Sequence, residues 1–418
     1  MAVVRPFRPL RPVPEKAALV ASVPYDVCST AEARALAAGN ADSFLHVTRA
    51  EIEFGDDVDA HSDAVYQRGA ANLKALEERG VLVREEQPCL YLYRQIMGDH
   101  AQTGLVGAFS VEEYDTSEIV KHEHTRPGKE QDRTTHVLTL DAMAGPVFLT
   151  YRPSGEVDAL VKAIQAGDPL FDFSAVDGIQ HTVWRVDDPA PFVEAFGRIH
   201  PLYIADGHHR SAAASNVRKQ KRADGVLTAE HPAQHFLAVA FPSDQVQILP
   251  YNRLIHDLGG RTPEAFLRAV EEIAGAEPTS DASPAGPDEV RMYVAGGWHR
   301  VPLTPSVDTP VGRLAVQMLQ DRVLGPLLDI TDPRTDERLS FVGGIRGTGE
   351  LQARVEAGEA LVAFSLPAVT PGQLLEVSDA GLTMPPKSTW FEPKLRSGLL
   401  TYPLSPPASS ANLRLRSN

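Results

Sequence analysis

The chain has 418 residues, of which 43% are hydrophobic and 23% charged, a composition typical of a globular protein with two or three domains. Its 40 lysines and arginines are outnumbered by 55 aspartates and glutamates, and the resulting net charge of -15 disfavours general binding to a nucleic-acid backbone. The two cysteines, Cys28 and Cys89, form no C-x-x-C pair, which argues against a disulfide scaffold or a zinc cluster.

Residues 1–14 contain three arginines among prolines and no apolar core of signal-peptide length. No later run of apolar residues is long enough to span a membrane. We therefore expect a cytoplasmic protein whose partners include neither a membrane nor a nucleic acid.

The first predicted region, residues 1–94, combines an arm with helices. The prolines within Arg5–Pro12 favour an extended backbone. We expect this segment to lie across another domain as an arm and not as a regular element. Ser29 and Glu32 form a capping-box pattern before an alanine-rich helix, and the apolar spacing of residues 63–79 predicts another helix.

Residues 95–276 alternate strand patterns with helix patterns, which predicts an α/β domain. The strands are predicted at Leu90–Ile96, Thr103–Val111, Gly145–Tyr151, Thr182–Val186, Leu202–Ala205 and Phe236–Phe241. The helices are predicted at residues 157–165, 211–222 and 262–275. The predicted fold class is therefore mixed α/β, with further α/β regions on the N- and C-terminal sides.

A stretch rich in proline, serine and glycine, Glu277–Asp288, is the best linker in the chain. The region after it, residues 289–404, begins with a predicted hairpin over Ala295–Gly297. Residues 405–418 have the composition of a disordered tail.

A dense run of ionisable groups extends from Glu118 to Arg133, after a short apolar lead. Four of its cations could neutralise phosphate oxygens: Lys121, Arg126, Lys129 and Arg133. Glu123 or Glu130 could accept a proton from a hydroxyl group as a general base. The alternative is a solvated charged loop. A metal pair of His122 and His124 lacks a third ligand at a suitable spacing.

The strand pattern Leu202–Ala205 leads through Asp206 and Gly207 into an alanine-rich helix that starts with polar residues: His208, His209, Arg210 and Ser211. A helix start carries unpaired N–H groups and partial positive charge, so this turn is a candidate anion pocket. The alternative is an Asp206 N-cap followed by surface histidines. Arg210 shows no structural role in the sequence, so we expect Arg210→Ala to weaken binding of a phosphate-bearing ligand and to leave the melting temperature nearly unchanged.

Near the C-terminus, prolines pin the loop Met384–Gly398, which presents cations and hydroxyl groups. Its candidate substrate-binding residues are Lys387, Ser388, Thr389, Lys394 and Arg396. We expect this loop to meet the Asp206 turn, because an acidic protein must gather its cations to hold an anion.

The residues Asp206 to Arg210 resemble the DGHHR signature turn of free serine kinases in the ParB/sulfiredoxin superfamily, where this turn holds the phosphate donor. Over nearly its whole length the chain is identified as a member of the domain of unknown function 1015 family. The motifs that carry this second resemblance are Pro24–Val27, Lys121–Arg133, Asp206–Arg210, Phe341–Gly347 and Met384–Gly398. The first resemblance implies a ParB/sulfiredoxin-like central domain at residues 95–276.

The resemblance further implies a small-molecule kinase that acts on free L-serine or a similar alcohol, with ATP, ADP or pyrophosphate as donor. The implied roles are magnesium binding by Asp206, charge stabilisation by His208, His209 and Arg210, and phosphate contacts by Gly207 and Ser211. Glu123, from the run of ionisable groups and not from the resemblance, is the expected base for the acceptor hydroxyl. The alternatives are a ParB-like nucleotide-binding switch and a phosphatase with the same ligands. The acidic charge and the lack of a helix-turn-helix pattern argue against the switch. The sequence also allows a homodimer.

Overall fold

The computed structural model of the protein describes residues 2–405. These residues divide into two compact units: residues before Gln247 and after Glu392 form the first, and Gln247–Glu392 forms the second. Apart from Ser405, the predicted disordered tail lies outside the described residues.

The described residues contain helices and strands throughout, which confirms the predicted mixed α/β class. The helices are α1 (Ala17–Val20), α2 (Thr30–Ala37), α3 (Leu45–Thr48), α4 (Asp63–Glu78), α5 (Val111–Asp115), α6 (Pro127–Leu140), α7 (Gly155–Gln165), α8 (Ala190–Phe196), α9 (His208–Ala223), α10 (Pro263–Ala274), α11 (Ala315–Leu319), α12 (Gly325–Leu328), α13 (Gly347–Glu356) and α14 (Pro371–Asp379). The strands are β1 (Val4–Arg5), β2 (Leu10–Pro12), β3 (Leu82–Arg84), β4 (Leu90–Met97), β5 (His100–Ser110), β6 (Ile119–Val120), β7 (Ala142–Met143), β8 (Val147–Tyr151), β9 (Phe171–Ser174), β10 (Gln180–Val186), β11 (Leu202–Asp206), β12 (His235–Pro242), β13 (Gln247–Leu249), β14 (Tyr251–Ile255), β15 (Glu277–Thr279), β16 (Glu289–Val294), β17 (Gly297–Pro302), β18 (Leu339–Gly343), β19 (Val362–Ser365), β20 (Trp390–Glu392) and β21 (Tyr402–Pro403).

The first unit is built on a nine-stranded mixed sheet in the order β6-β11-β8-β12-β5-β4-β10-β9, with β1 pairing along β5. Two neighbouring pairs are parallel, β6 with β11 and β8 with β12, and the other pairs are antiparallel. Every residue of β12 is buried, as its continuous apolar sequence predicts for a covered central strand. Helices α6 and α9 pack against each other.

Several local predictions are confirmed. The Ser29 side chain accepts a hydrogen bond from the Glu32 N–H, and the Glu32 carboxylate accepts one from the Ser29 N–H, so the capping box starts α2. The hairpin of β16 and β17 turns at Ala295 and Gly296, both with positive φ, as a two-residue turn requires.

Two predictions of irregular structure are wrong over part of their range. The N-terminal arm contains β1, which pairs with β5, and β2, which pairs with β3, because Val4, Phe7 and Leu10 are apolar and buried in the core. The predicted linker begins with β15, which pairs with β17.

The two units also have other boundaries than the three predicted regions. Strand β1 and strand β4, which crosses the predicted boundary after residue 94, both pair with β5 in one sheet. Residues 393–405 belong to the first unit.

The second unit contains a six-stranded antiparallel sheet in the order β15-β17-β16-β19-β14-β18. Its two chain ends are neighbours, because Gln247 pairs with Glu392 in the separate ribbon of β13 and β20. The backbone at Gly343 packs directly against Trp390, because a Cβ at this position would lie 2.7 Å from the Trp390 ring. Within residues 2–405, no helix is both long and apolar enough to cross a membrane.

Candidate functional site

The candidate site forms where β6 and β11 end. These strands are parallel, with Leu202 opposite Ile119 and Tyr203 opposite Val120. Because the carboxyl ends of parallel strands meet at one edge of a sheet, the segment after Val120 emerges beside the turn after β11. The pairing brings together two motifs that lie far apart in the sequence.

The turn after β11 has the predicted strand-turn-helix form. Gly207 precedes α9 with φ of 98°, a left-handed conformation that favours glycine. A Cβ at this position would also lie 3.1 Å from Arg210 Nε, so glycine allows the guanidinium to fold back over the turn.

The Asp206 carboxylate lies between two cations. Its Oδ2 oxygen accepts a hydrogen bond from Lys394 Nζ at 3.2 Å and lies 3.8 Å from Arg210 Nη2. Burial alone would raise the pKa of Asp206, but the charges of Lys394 and Arg210 hold it well below its usual range. Asp206 is therefore ionised at neutral pH, and the group as a whole keeps one positive charge.

Lys394 is where the pinned loop meets the Asp206 turn, as expected. The carbonyl oxygen of Lys394 accepts a hydrogen bond from Gln95 Nε2 at 2.9 Å, and Gln102 Nε2 donates to Gln95 Oε1 at 3.0 Å. Both glutamines are fully buried on β4 and β5. Gln95 and Gln102 thus fix the backbone that carries Lys394. The sequence analysis did not find this role of the two glutamines.

The other predicted ligands of this loop have contacts of their own. Arg396 is buried and donates to Asp177 and to His181 Nε2, so it forms a separate cluster in the first unit. Three further residues belong to the second unit: Lys387, Ser388 and Thr389. There Ser388 Oγ donates to the Pro385 carbonyl at 2.6 Å, and Lys387 Nζ lies 5.4 Å from the centroid of the Tyr251 ring.

Three side chains from the two strand ends converge: His122, Glu123 and His208. The potential ligand atoms of these residues all lie within 4.8 Å of one another. His122 is 1% exposed and His208 6%, and their rings meet edge to face at 4.5 Å between centroids. Burial lowers the pKa of His122 to about 4 and that of His208 well below its usual value, so both imidazoles are neutral at pH 7.

His209 points away from this trio, as expected for adjacent residues on a helix. Its Nε2 accepts a hydrogen bond from the Arg126 N–H at 3.1 Å. The His209 ring thus helps to hold the start of α6 beside the start of α9.

A small cavity lies between α6 and α9. Its volume is about 40 Å³, and Arg133 and Arg210 both line it, together with Tyr25 and Ser397. Arg133 Nε donates to Asp132 Oδ2 at 2.7 Å, and its guanidinium lies 3.9 Å from the centroid of the Tyr25 ring. Arg133, a predicted phosphate-binding residue, and Arg210, predicted to stabilise transferring charge, therefore line one cavity.

Arg210 has a structural role as well, because its Nη1 donates to the Pro146 carbonyl. This contact is a structural reason, not visible in the sequence, for Arg210→Ala to lower the melting temperature as well. Ser211 is fully buried and its Oγ donates to the Gly207 carbonyl at 3.3 Å, so its hydroxyl serves the helix and does not face a ligand at the helix start.

The remaining predicted residues surround the site less closely. Lys121 Nζ lies 3.9 Å from the centroid of the Tyr114 ring, and burial lowers the pKa of the Lys121 amine. Lys129 is exposed on α6. Glu130 accepts a hydrogen bond from Thr125 Oγ1, which fixes the carboxylate near the N-terminus of α6.

Several solved structures are similar to this chain. A conserved hypothetical protein from Pyrococcus furiosus aligns with a TM-score of 0.35 and 14% identity, covering 69% of this chain and 90% of its own. Free serine kinase in complex with AMP aligns with a TM-score of 0.34 and 14% identity, covering 69% and 86% of the two chains. SbnI with a C-terminal truncation, from Staphylococcus aureus, aligns with a TM-score of 0.39 and 12% identity, covering 74% and 93%.

No curated protein matches the sequence. A family model described as "Protein of unknown function (DUF1015)" matches residues 4–321, about three quarters of the chain. The chain therefore belongs to the DUF1015 family.

Proposed function

We propose that this protein is a small-molecule phosphotransferase, a kinase that transfers a phosphoryl group to free L-serine or a similar small alcohol. One observation carries the proposal: a carboxylate, a helix N-terminus and two cations meet at one edge of the sheet. They are contributed by Glu123, His208, Arg210 and Lys394.

The donor phosphates would bind at the start of α9. The first N–H groups of this 16-residue helix carry partial positive charge, and the Arg210 guanidinium can bind two phosphate oxygens at once. The cavity shared with Arg133, about 40 Å³, has room for roughly three water molecules, at about 10–15 Å³ for each water. It could therefore take one phosphate group, while the rest of the donor would lie outside.

Glu123 is the proposed general base. The acceptor oxygen would attack the phosphorus as its proton passes to the Glu123 carboxylate, and the bond from phosphorus to the leaving oxygen would break. Glu130 remains the alternative base on the same segment. ATP, ADP and pyrophosphate are the proposed donors, and all three present the charged phosphates that these cations would hold.

Magnesium is implied by the kinase resemblance and was predicted at Asp206. The Asp206 carboxylate already has Lys394 at 3.2 Å and Arg210 at 3.8 Å, and two cations at this range repel a divalent cation. The residues therefore do not fit a magnesium site at Asp206, and we assign no step to magnesium there. Asp206 instead positions Lys394 and Arg210.

The test is the formation of phosphoserine from serine with each donor in turn, followed by phosphorus NMR. We expect product with at least one donor, and a loss of about a hundredfold or more in Glu123→Gln, the lower range for a general base. Glu118→Gln is the matched control, because Glu118 is exposed on the same segment and outside the site. Absence of product from serine and other small alcohols with every donor would refute the proposal.

The same experiment separates the alternatives. Release of phosphate from phosphoserine without any donor would favour a phosphatase. Consumption of a nucleotide without phosphorylation of any alcohol would favour a nucleotide-binding switch.

A further inference from the structure

The trio of His122, Glu123 and His208 has a property that phosphate binding does not explain. Within residues 2–405, neither ring nitrogen of His122 has a hydrogen-bond partner at normal geometry. The same is true of Nε2 of His208. The Ile204 backbone is a polar neighbour of His122 but does not meet this geometry. Buried imidazole nitrogens are normally hydrogen-bonded or bound to a metal, so two such rings side by side require an explanation.

We infer that His122, Glu123 and His208 form a binding site for a first-row divalent transition-metal ion such as Zn²⁺. Metal–ligand bonds of about 2.0–2.1 Å place the ligands of a tetrahedral ion ~3.3 Å apart. The ligand atoms of the trio lie within 4.8 Å of one another, so side-chain movements on the order of 1–2 Å would close the site.

The ligand types select the class of ion. Two imidazoles and one carboxylate suit Zn²⁺ and its first-row neighbours, whereas Mg²⁺ prefers oxygen ligands. Three protein ligands leave a fourth position of the ion open, which is the arrangement of catalytic zinc sites.

The sequence did not reveal this site because one of its three ligands, His208, lies far from the other two along the chain. The spacing of His122 and His124 offers a pair without a further ligand, and His124 is exposed in the structure. The parallel pairing of β6 with β11 supplies His208 from a distant part of the chain.

This inference does not depend on phosphotransfer. A carboxylate that binds a metal ion is a weaker base, so the metal-bound protein would leave Glu130 as the remaining candidate base. A test that measures metal binding can therefore succeed or fail separately from the kinase assay.

The experiment uses the full chain after removal of metal with a chelator. During titration with Co²⁺, the visible absorption of a four- or five-coordinate Co²⁺ site should rise until one equivalent of Co²⁺ per chain has been added. Addition of Zn²⁺ should then displace the Co²⁺ and remove this absorption. Zn²⁺ should also raise the melting temperature, because a ligand that binds only the folded state stabilises it. Mg²⁺ at the same concentration should do neither.

Two variants remove one ligand each. His208→Asn and Glu123→Gln should weaken Co²⁺ binding by a hundredfold or more, since loss of an outer-shell partner alone costs about 10–100-fold. Glu123 is half-buried, so its substitution leaves no enclosed space, and circular dichroism of the metal-free proteins checks their fold. His124→Asn is the matched control and should bind Co²⁺ like the wild type.

Absence of stoichiometric Co²⁺ absorption would overturn the inference. So would Co²⁺ binding that both His208→Asn and Glu123→Gln leave unchanged, because the ion would then bind elsewhere.

Discussion

Replacement of Lys394 by methionine should destabilise the first unit, because it leaves the Asp206 carboxylate with one cation in place of two. The two side chains are 14% and 30% exposed, so solvent can compensate only in part. Loss of one partner of a buried pair costs about 3–5 kcal/mol, and a hydrogen bond to a charged group contributes about 1.5–3 kcal/mol. Since Arg210 stays at 3.8 Å, we expect a loss of about 2–3 kcal/mol in the free energy of unfolding.

The pH dependence of this loss follows from the lowered pKa of Asp206. A carboxyl group with a lowered pKa in the folded state stabilises the fold above its unfolded pKa of about 3.9, and loses that contribution as the pH falls further. The difference between wild type and Lys394→Met should therefore be constant near neutral pH and shrink below about pH 4.

Urea unfolding followed by circular dichroism measures these differences. Lys16→Met is the matched control: Lys16 Nζ lies 2.9 Å from Asp42 Oδ2, but its side chain is 38% exposed, so we expect a loss of only about 0–1 kcal/mol. In an Asp206→Asn background, Lys394→Met should lose most of its effect. Equal losses from the two lysine substitutions, or a full loss in the Asp206→Asn background, would refute this account of the pair.

Two further predictions concern other parts of the first unit. Gly398→Ala should lower the free energy of unfolding by about 2–4 kcal/mol in urea titrations, because φ is +89° and the new Cβ would lie 2.7 Å from the Phe44 side chain. Gly80→Ala is its control, with φ of +70° and no heavy atom within 4 Å of the new Cβ, and a loss above about 1–2 kcal/mol there would contradict the contact argument. The hydrogen bond and charge of Arg133, acting against burial, lower the pKa of Asp132 to about 2, so Asp132 should contribute roughly 2 kcal/mol of stability above about pH 4 that disappears towards pH 2. As the pH falls through this range, the free energy of unfolding should decrease less steeply in Asp132→Asn than in the wild type. An equally steep decrease in both proteins would contradict the assignment.

The sequence predicted the strand-turn-helix at Asp206 because each of its signals is local. An apolar run, an Asp-Gly turn and an alanine-rich segment follow one another, and each restricts the backbone by itself. The capping box of α2 was predictable for the same reason.

The contacts that assemble the candidate site were not predictable in this way. Strand β6 has two residues, too few to show a period, and its parallel pairing with β11 depends on the whole sheet. The contacts of the cations were not predictable either. The density of charge near Arg133 indicated phosphate binding, but only the structure reveals that the Arg133 side chain contacts Asp132 and Tyr25.

The division of the chain has a consequence for its synthesis. Asp206 lies before the second unit in the sequence and its partner Lys394 lies after it, so the ribosome must complete Gln247–Glu392 before Lys394 is made. At about 5–20 residues per second, this interval lasts roughly 7–30 s. During that time the nascent first unit has the Asp206 turn but lacks its lysine. The turn therefore gains its second cation, and with it a net positive charge, only in the last stage of translation.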